Sequence, residues 1–171
     1  MCVAYSLDGK ALAVTCNAAS CLSVFAVDPR TSMLSPAPGS PYYAQGDNYK
    51  VAFSPDRRAL AATDLRGYVT VFVIDPATYT LTVAGSYSLP IGSNSVAFSP
   101  DGSLLAIACG GYLVALFAVD PSTHALTEVA GSPFVSGSAP LAVAFSPDGK
   151  VLAVANNGAN SVSVFAIDVF G

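Results

Sequence analysis

One phrase returns four times along this chain: Val-Ala-Tyr-Ser-Leu-Asp at Val3–Asp8, then Val-Ala-Phe-Ser-Pro-Asp at Val51–Asp56, Val96–Asp101 and Val143–Asp148. Successive copies begin 48, 45 and 47 residues apart. A period of about 40 to 50 residues filled with short strands is that of propeller blades, each of which buries its faces only against its neighbours. The expected architecture is therefore all-β: an arc of about four four-stranded antiparallel blades. Residues 1–171 form one partial propeller domain on this reading, with units 3–50, 51–95, 96–142 and 143–171. The last unit lacks its outer strand.

Turn residues divide each unit. Ser54-Pro55-Asp56, Ser99-Pro100-Asp101-Gly102 and Ser146-Pro147-Asp148-Gly149 suit a tight turn between first and second strands, because proline presets φ and Asp and Gly tolerate the later positions. The second strands follow as Ala11 to Thr15, Ala59 to Thr63, Leu104 to Ala108 and Val151 to Ala155. The third are Leu22 to Val27, Tyr68 to Ile74, Tyr112 to Val119 and Ser161 to Ile167. Asp28-Pro29-Arg30-Thr31, Asp75-Pro76-Ala77-Thr78 and Asp120-Pro121-Ser122-Thr123 close them, and fourth strands are expected around Thr80 to Ala84 and Ala125 to Ala130.

Apolar residues make up 53% of the chain and charged ones 11%, against roughly a quarter charged in ordinary soluble domains. Sheets covered on both faces read in this way. Leu113 to Val119, at seven residues, is among the longest apolar runs, far short of the roughly 18 to 20 needed for a helical membrane span. No secretory signal precedes the first unit, so the chain as written is expected in the cytoplasm, although a longer parent could be secreted or periplasmic. Seven Lys and Arg, scattered singly in a chain of net charge −4, give no footprint for nucleic acid.

The combination of Val-Ala-Phe-Ser-Pro-Asp-Gly, Leu-Ala-Val-Ala-Asn, Ser-Val-Ser-Val-Phe, Val-Asp-Pro-x-Thr and Gly-Ser-Pro-Phe resembles the YVTN-type repeats of lactonase-like β-propellers, the group that includes 6-phosphogluconolactonase-like proteins. The resemblance covers essentially the whole chain. It implies a ring of about seven blades with the first strand nearest the central channel, both Asp-marked turns on one face and the remaining loops on the other. Leu7 replaces the turn proline in the first unit and Arg57 the turn glycine in the second, while Ser32, Tyr79 and His124 stand where such repeats carry glycine. These departures are expected to degrade turns and leave the strands intact.

The inventory for catalysis is thin: one His, one Glu and ten Asp. Eight of the Asp fall in the two turn columns, where repetition points to backbone capping. His124 belongs to a turn as well, with a structural or solvent-exposed role expected. Cys2, Cys16, Cys21 and Cys109 lack metal-site or disulfide-framework spacing and read as buried free thiols. No catalytic residue, metal ligand or cofactor is therefore assigned. The loops between second and third strands, and those leading into each first strand, differ from unit to unit. Variable loops on a rigid scaffold are where binding residues concentrate. The candidate ligand-binding residues are Asp47, Asn48, Lys50, Asp64, Arg66, Asn94, Asn156 and Asn160.

Two functions fit. The first is a non-catalytic binding or interaction scaffold, a piece of a larger lactonase-like propeller that takes a small polar ligand or a protein. The second, implied by the resemblance, is a sugar lactone hydrolase. Because an open arc leaves an apolar blade face at each end, self-association or further blades are expected to complete the ring.

Overall fold

The structure, a computed structural model, describes residues 2–16, 21–43 and 48–168, apart from the side chains of Asn48 and Tyr49. The described residues form strands and turns, in four antiparallel sheets that follow one another along the chain. Blade 1 contains β1 (Val3–Tyr5), β2 (Ala11–Cys16), β3 (Cys21–Val27), β4 (Leu34–Pro36) and β5 (Tyr42–Tyr43). Blade 2 contains β6 (Asn48–Phe53), β7 (Ala59–Asp64), β8 (Tyr68–Ile74) and β9 (Leu81–Ser88). In blade 3 are β10 (Ser93–Phe98), β11 (Leu104–Cys109), β12 (Leu113–Val119), β13 (Leu126–Glu128) and β14 (Phe134–Val135). Blade 4 has β15 (Pro140–Phe145), β16 (Val151–Asn156) and β17 (Ser161–Ala166). Each sheet runs in sequence order from its first strand outward, which makes the open propeller arc that the repeat implies.

Blades stack through a consistent pairing of small faces with large ones. Alternate residues of a strand point to opposite sides of the sheet. Ala59, Ala61, Val69 and Val71 of blade 2 therefore meet Leu105, Ile107, Phe117 and Val119 of blade 3. Ala13, Leu22 and Val24 of blade 1 meet Val51, Leu60, Phe72 and Ile74 of blade 2 in the same manner. At the third junction Ala106, Ala108, Val114 and Leu116 face Val143, Leu152 and Val154. Small side chains let the sheets approach, and the large ones fill the space to interior density. An aromatic from the outer edge of one blade adds to each junction: Tyr42–Phe72, Tyr87–Phe117 and Phe134–Phe165, with centroids 6.5, 6.2 and 6.2 Å apart. The Tyr42 and Tyr87 hydroxyls also accept hydrogen bonds from the N–H groups of Leu81 and Leu126 in the next blade, at 2.8 and 2.9 Å.

Strand boundaries depart from expectation at both edges of the blade. First strands begin earlier: Asn48 to Lys50 and Ser93 to Ser95, expected as loops, belong to β6 and β10. The ladders there contain one extra residue, between Asn48 and Lys50, Ser93 and Ser95, and Pro140 and Ala142. This recurrent bulge hides the strand start from a pattern of strict alternation. Outer strands differ because of proline. Gly-Ser-Pro at 39–41 and 131–133 splits the edge into β4 and β5, and into β13 and β14, since proline cannot donate to the ladder. Blade 2 has Gly85-Ser86-Tyr87 instead, and β9 continues through it to Ser88 with a single register shift.

The substituted turns keep their geometry, contrary to expectation. Arg57 takes φ 65°, close to Gly9 at 69° and Gly149 at 73°, and its N–H still bonds to the Ser54 carbonyl at 3.0 Å. Ser32, Tyr79 and His124 likewise adopt φ 57°, 61° and 58°. A non-glycine side chain in the left-handed region stores local strain. Ser32 is exposed, so Ser32→Gly is expected to stabilise the fold by about 0.5–1 kcal/mol. A urea midpoint that stays unchanged or falls would count against that strain.

Candidate functional site

Backbone hydrogen bonds join the two variable loop sets on one face of the arc. Leu89 N–H bonds to Gly67 O at 2.6 Å, Gly110 N–H to Gly92 O at 2.7 Å and Asn157 N–H to Ala139 O at 2.9 Å. Six of the eight candidate ligand residues can be placed there in full. Asp47 lies outside the described residues, and Asn48 is placed only through its backbone, which pairs with Asp64 across β6 and β7.

Asp64 and Arg66 share one hairpin. The Asp64 carboxylate Oδ1 accepts the N–H groups of Arg66 at 2.9 Å and Tyr68 at 2.8 Å, which fixes the turn and leaves the Arg66 side chain exposed. Both residues line a groove of about 950 Å³ between blades 1 and 2. Its walls include Tyr42, Tyr43, Tyr68, Thr70 and Ser86, none of which the loop comparison singled out. Tyr68, Thr70 and Phe72 alternate along β8 toward this side, a strand-period signal that would have found them. A volume of this order suits a small organic ligand, and the aromatic floor with a carboxylate and a guanidinium at one end gives a mixed lining.

The remaining candidates sit apart from that hairpin. Lys50 is half-buried in β6, opposite Thr63. Asn94 occupies the bulge of β10 and donates through Nδ2 to the Pro140 carbonyl at 2.9 Å, tying blade 3 to blade 4. Asn156 is buried, donating to Ser161 Oγ at 3.3 Å and Ser163 Oγ at 2.9 Å. Gly137 packs so closely on it that a Cβ there would come within 2.6 Å of the Asn156 amide. Asn160 is exposed in the last hairpin at φ 47°.

The opposite face carries the acidic turns. Asp28, Asp75 and Asp120 each accept two backbone N–H groups, and these bonds hold all three carboxyls below the usual range. Of the two roles left open for His124, the structure gives the structural one. Its ring is buried, with Nε2 3.1 Å from Asp56 Oδ2 on the preceding blade. Burial pushes the Asp8 carboxyl up, but the Ser6 hydroxyl, the Lys10 N–H and the Arg57 guanidinium, 2.8 Å away, outweigh it and hold Asp8 at about 2. A depressed folded-state pKa adds stability above the unfolded value and loses it as pH falls through the folded one. Asp8 is thus expected to contribute about 1 kcal/mol, after solvent screening, that disappears between pH 4 and pH 2. Asp8→Asn should flatten the stability profile in that window; an unchanged slope in acid denaturation would remove Asp8 from it.

Cys21 and Cys109 are buried free thiols, as expected, with burial pushing the Cys109 thiol up to about 11. Cys2 and Cys16 are only half-buried. Among the described residues no group of three or more His, Cys, Asp or Glu is placed to hold a metal ion. Among the described residues no helix is long and apolar enough to cross a membrane.

Comparison with known proteins agrees with the arc. A family model described as lactonase, 7-bladed beta-propeller matches residues 50–170. A candidate 6-phosphogluconolactonase from Bacteroides uniformis superposes with TM-score 0.86 at 24% identity, over 98% of this chain and 50% of its own. A candidate 6-phosphogluconolactonase from Bacteroides fragilis gives TM-score 0.87 at 22% identity, over 98% and 50%. For the periplasmic gluconolactonase PpgL of Pseudomonas aeruginosa the values are 0.83 and 27%, over 97% and 49%. The chain thus spans about half the length of these structures. No curated protein sequence matches it.

Proposed function

Since the chain belongs to the seven-bladed lactonase propeller family, we propose that it contributes four blades and part of the ligand-binding face to a propeller that binds and opens a sugar lactone. The observation that carries this reading is the family match over residues 50–170, which includes the Asp64–Arg66 hairpin. Asp64 Oδ1 is committed to the turn, whereas Oδ2 has no hydrogen bond from the described residues and projects the charge a general base needs. It would take a proton from water as the water oxygen attacks the lactone carbonyl. Arg66 would stabilise the oxyanion, and collapse of the adduct would break the bond from the carbonyl carbon to the ring oxygen, which leaves as a hydroxyl by taking that proton back from Asp64. Asn48 and Lys50, on the strand facing Asp64, are the nearest further candidates for contacts to a polyhydroxy ligand. Asn94, Asn156 and Asn160 extend the same proposed face, and Asp47, next to Asn48 in the sequence, is proposed with them.

A second reading, binding without turnover, is favoured by the groove lining, in which tyrosines and hydroxyls outnumber the two charged residues, Asp64 and Arg66, among the described residues. Hydrolysis of δ-gluconolactone and 6-phosphogluconolactone, followed by pH-stat, separates the two. Turnover lost by about 100-fold in Asp64→Ala supports the lactonase reading. Binding of gluconate by calorimetry with no turnover supports the second. Neither turnover nor binding overturns both.

A further inference from the structure

Beyond ligand chemistry, one hairpin of the loop face brings two thiols together. Cys16 ends β2, Cys21 begins β3, and the two are direct partners across the ladder. Directly opposed residues of an antiparallel pair have Cα atoms about 4.5 or 5.5 Å apart, and both values fall within the roughly 4.4–6.8 Å that a disulfide takes. Alternate residues point to opposite sides of the sheet, so Thr15 and Leu22 share the side of Ala13 and Val24 at the first junction, and Cys16 and Cys21 share the other. Their side chains stand next to each other.

Blade 4 shows what this register does. Leu-Ala-Val-Ala-Asn at 152–156 and Ser-Val-Ser-Val-Phe at 161–165 repeat Leu-Ala-Val-Thr-Cys at 12–16 and Cys-Leu-Ser-Val-Phe at 21–25, with four residues between the strands in each case. Asn156 holds the place of Cys16 and Ser161 that of Cys21, and Asn156 Nδ2 donates to Ser161 Oγ at 3.3 Å. In blade 1 the Cys16 and Cys21 thiols likewise meet, and burial together with that contact pushes the Cys21 thiol up.

We propose that Cys16 and Cys21 are a modification site, a dithiol that closes to a disulfide in an oxidising compartment and opens in a reducing one. The oxidant is a small-molecule disulfide of the glutathione class. The thiolate of Cys16, the less buried of the two, attacks one sulfur of the oxidant, forming a mixed disulfide and releasing one small thiol. The Cys21 thiolate then attacks the Cys16 sulfur, and the second small thiol leaves. Two electrons pass from the pair to the oxidant, and the two cysteine protons end on the released thiols. The other cysteines have no such partner: Cys2 packs at the first junction on the opposite side of the sheet, and Cys109 is buried between blades 2 and 3. Because the site uses only the spacing inside one hairpin, a neighbouring blade on that side alters access and leaves the geometry alone. The closed ring holds six residues, so the bond acts locally, pinning the ends of β2 and β3 on the ligand face.

After purification in reductant and incubation with oxidised glutathione, the tryptic fragment 11–30 should be lighter by two hydrogens and carry a disulfide between Cys16 and Cys21. In Cys21→Ser, glutathione should instead remain on Cys16, because the second step is gone. Closing the bond should slow amide exchange at Cys21 to Ser23 by about tenfold, as fraying of the strand ends is suppressed. Cys16 and Cys21 left free or bearing glutathione in the parent chain overturn the proposal, as does a disulfide that includes Cys2 or Cys109. Unchanged amide exchange in the closed form overturns the pinning.

Discussion

Phe117→Ala is expected to lower the unfolding free energy by about 3–5 kcal/mol, a large share of the roughly 5–15 kcal/mol a domain has. Phe117 is 4% exposed, sits among Leu105, Ile107, Val119 and Leu126, and packs its ring 6.2 Å from Tyr87 on the preceding blade. Removing it leaves a cavity walled by two sheets, neither of which can move in without breaking its own ladder. Phe25 holds the same position in blade 1 and is only half-buried. Phe25→Ala should therefore cost about 1–2 kcal/mol. Urea unfolding of the two variants beside the parent measures the difference. Equal losses would show that the junction between blades 2 and 3 is no tighter than a free face.

The second large effect belongs to a hydroxyl. Ser99, 2% exposed, donates to Asp101 Oδ1 at 2.6 Å and accepts the Leu104 N–H at 2.9 Å. Ser99→Ala leaves the part-buried Leu104 N–H without its acceptor and removes a charge-assisted bond, for an expected loss of about 1–3 kcal/mol. The Ser99 hydroxyl is the largest of the causes holding the Asp101 carboxyl below its ordinary range, so the same variant should raise the Asp101 pKa toward that range. Ser146 makes the equivalent bonds in blade 4 but is half-exposed, and water can replace them there. Ser146→Ala should cost well under half as much. Denaturant titration gives the stabilities, and carboxyl-carbon NMR follows Asp101. An Asp101 titration unchanged in Ser99→Ala would contradict the turn electrostatics described above.

The blade plan could be read from the residues because it rests on local chemistry that repeats: a proline that presets φ, an Asp that caps its own turn, and apolar runs between them. Boundaries escaped where that chemistry is silent. The bulges at Tyr49, Asn94 and Leu141 each add one residue that is itself neither glycine nor proline. The left-handed conformations of Arg57 and Tyr79 were concealed because neither residue favours them. Tyr79 is compensated by packing at the first junction, and Arg57 by the ion pair to Asp8. For the loop face, comparing four internal copies identified variable positions and could not separate those that bond to their own blade, such as Asn156, from those left exposed, such as Arg66. The groove tyrosines were missed for the opposite reason: they lie on strands, and loop variability does not report on strands.

The pairing of a small face with a large one gives the stack a direction, like bricks with a stud on one side and a socket on the other. Any blade cut from this chain would carry both halves of the joint, so a unit could be duplicated or lost and the neighbours would still meet through matched surfaces. Side-chain chemistry at the joint is then indifferent to how many blades the ring contains. The number is left to the angle between successive sheets, and a family built this way can change ring size through small adjustments in strand twist and bulge without designing a new interface.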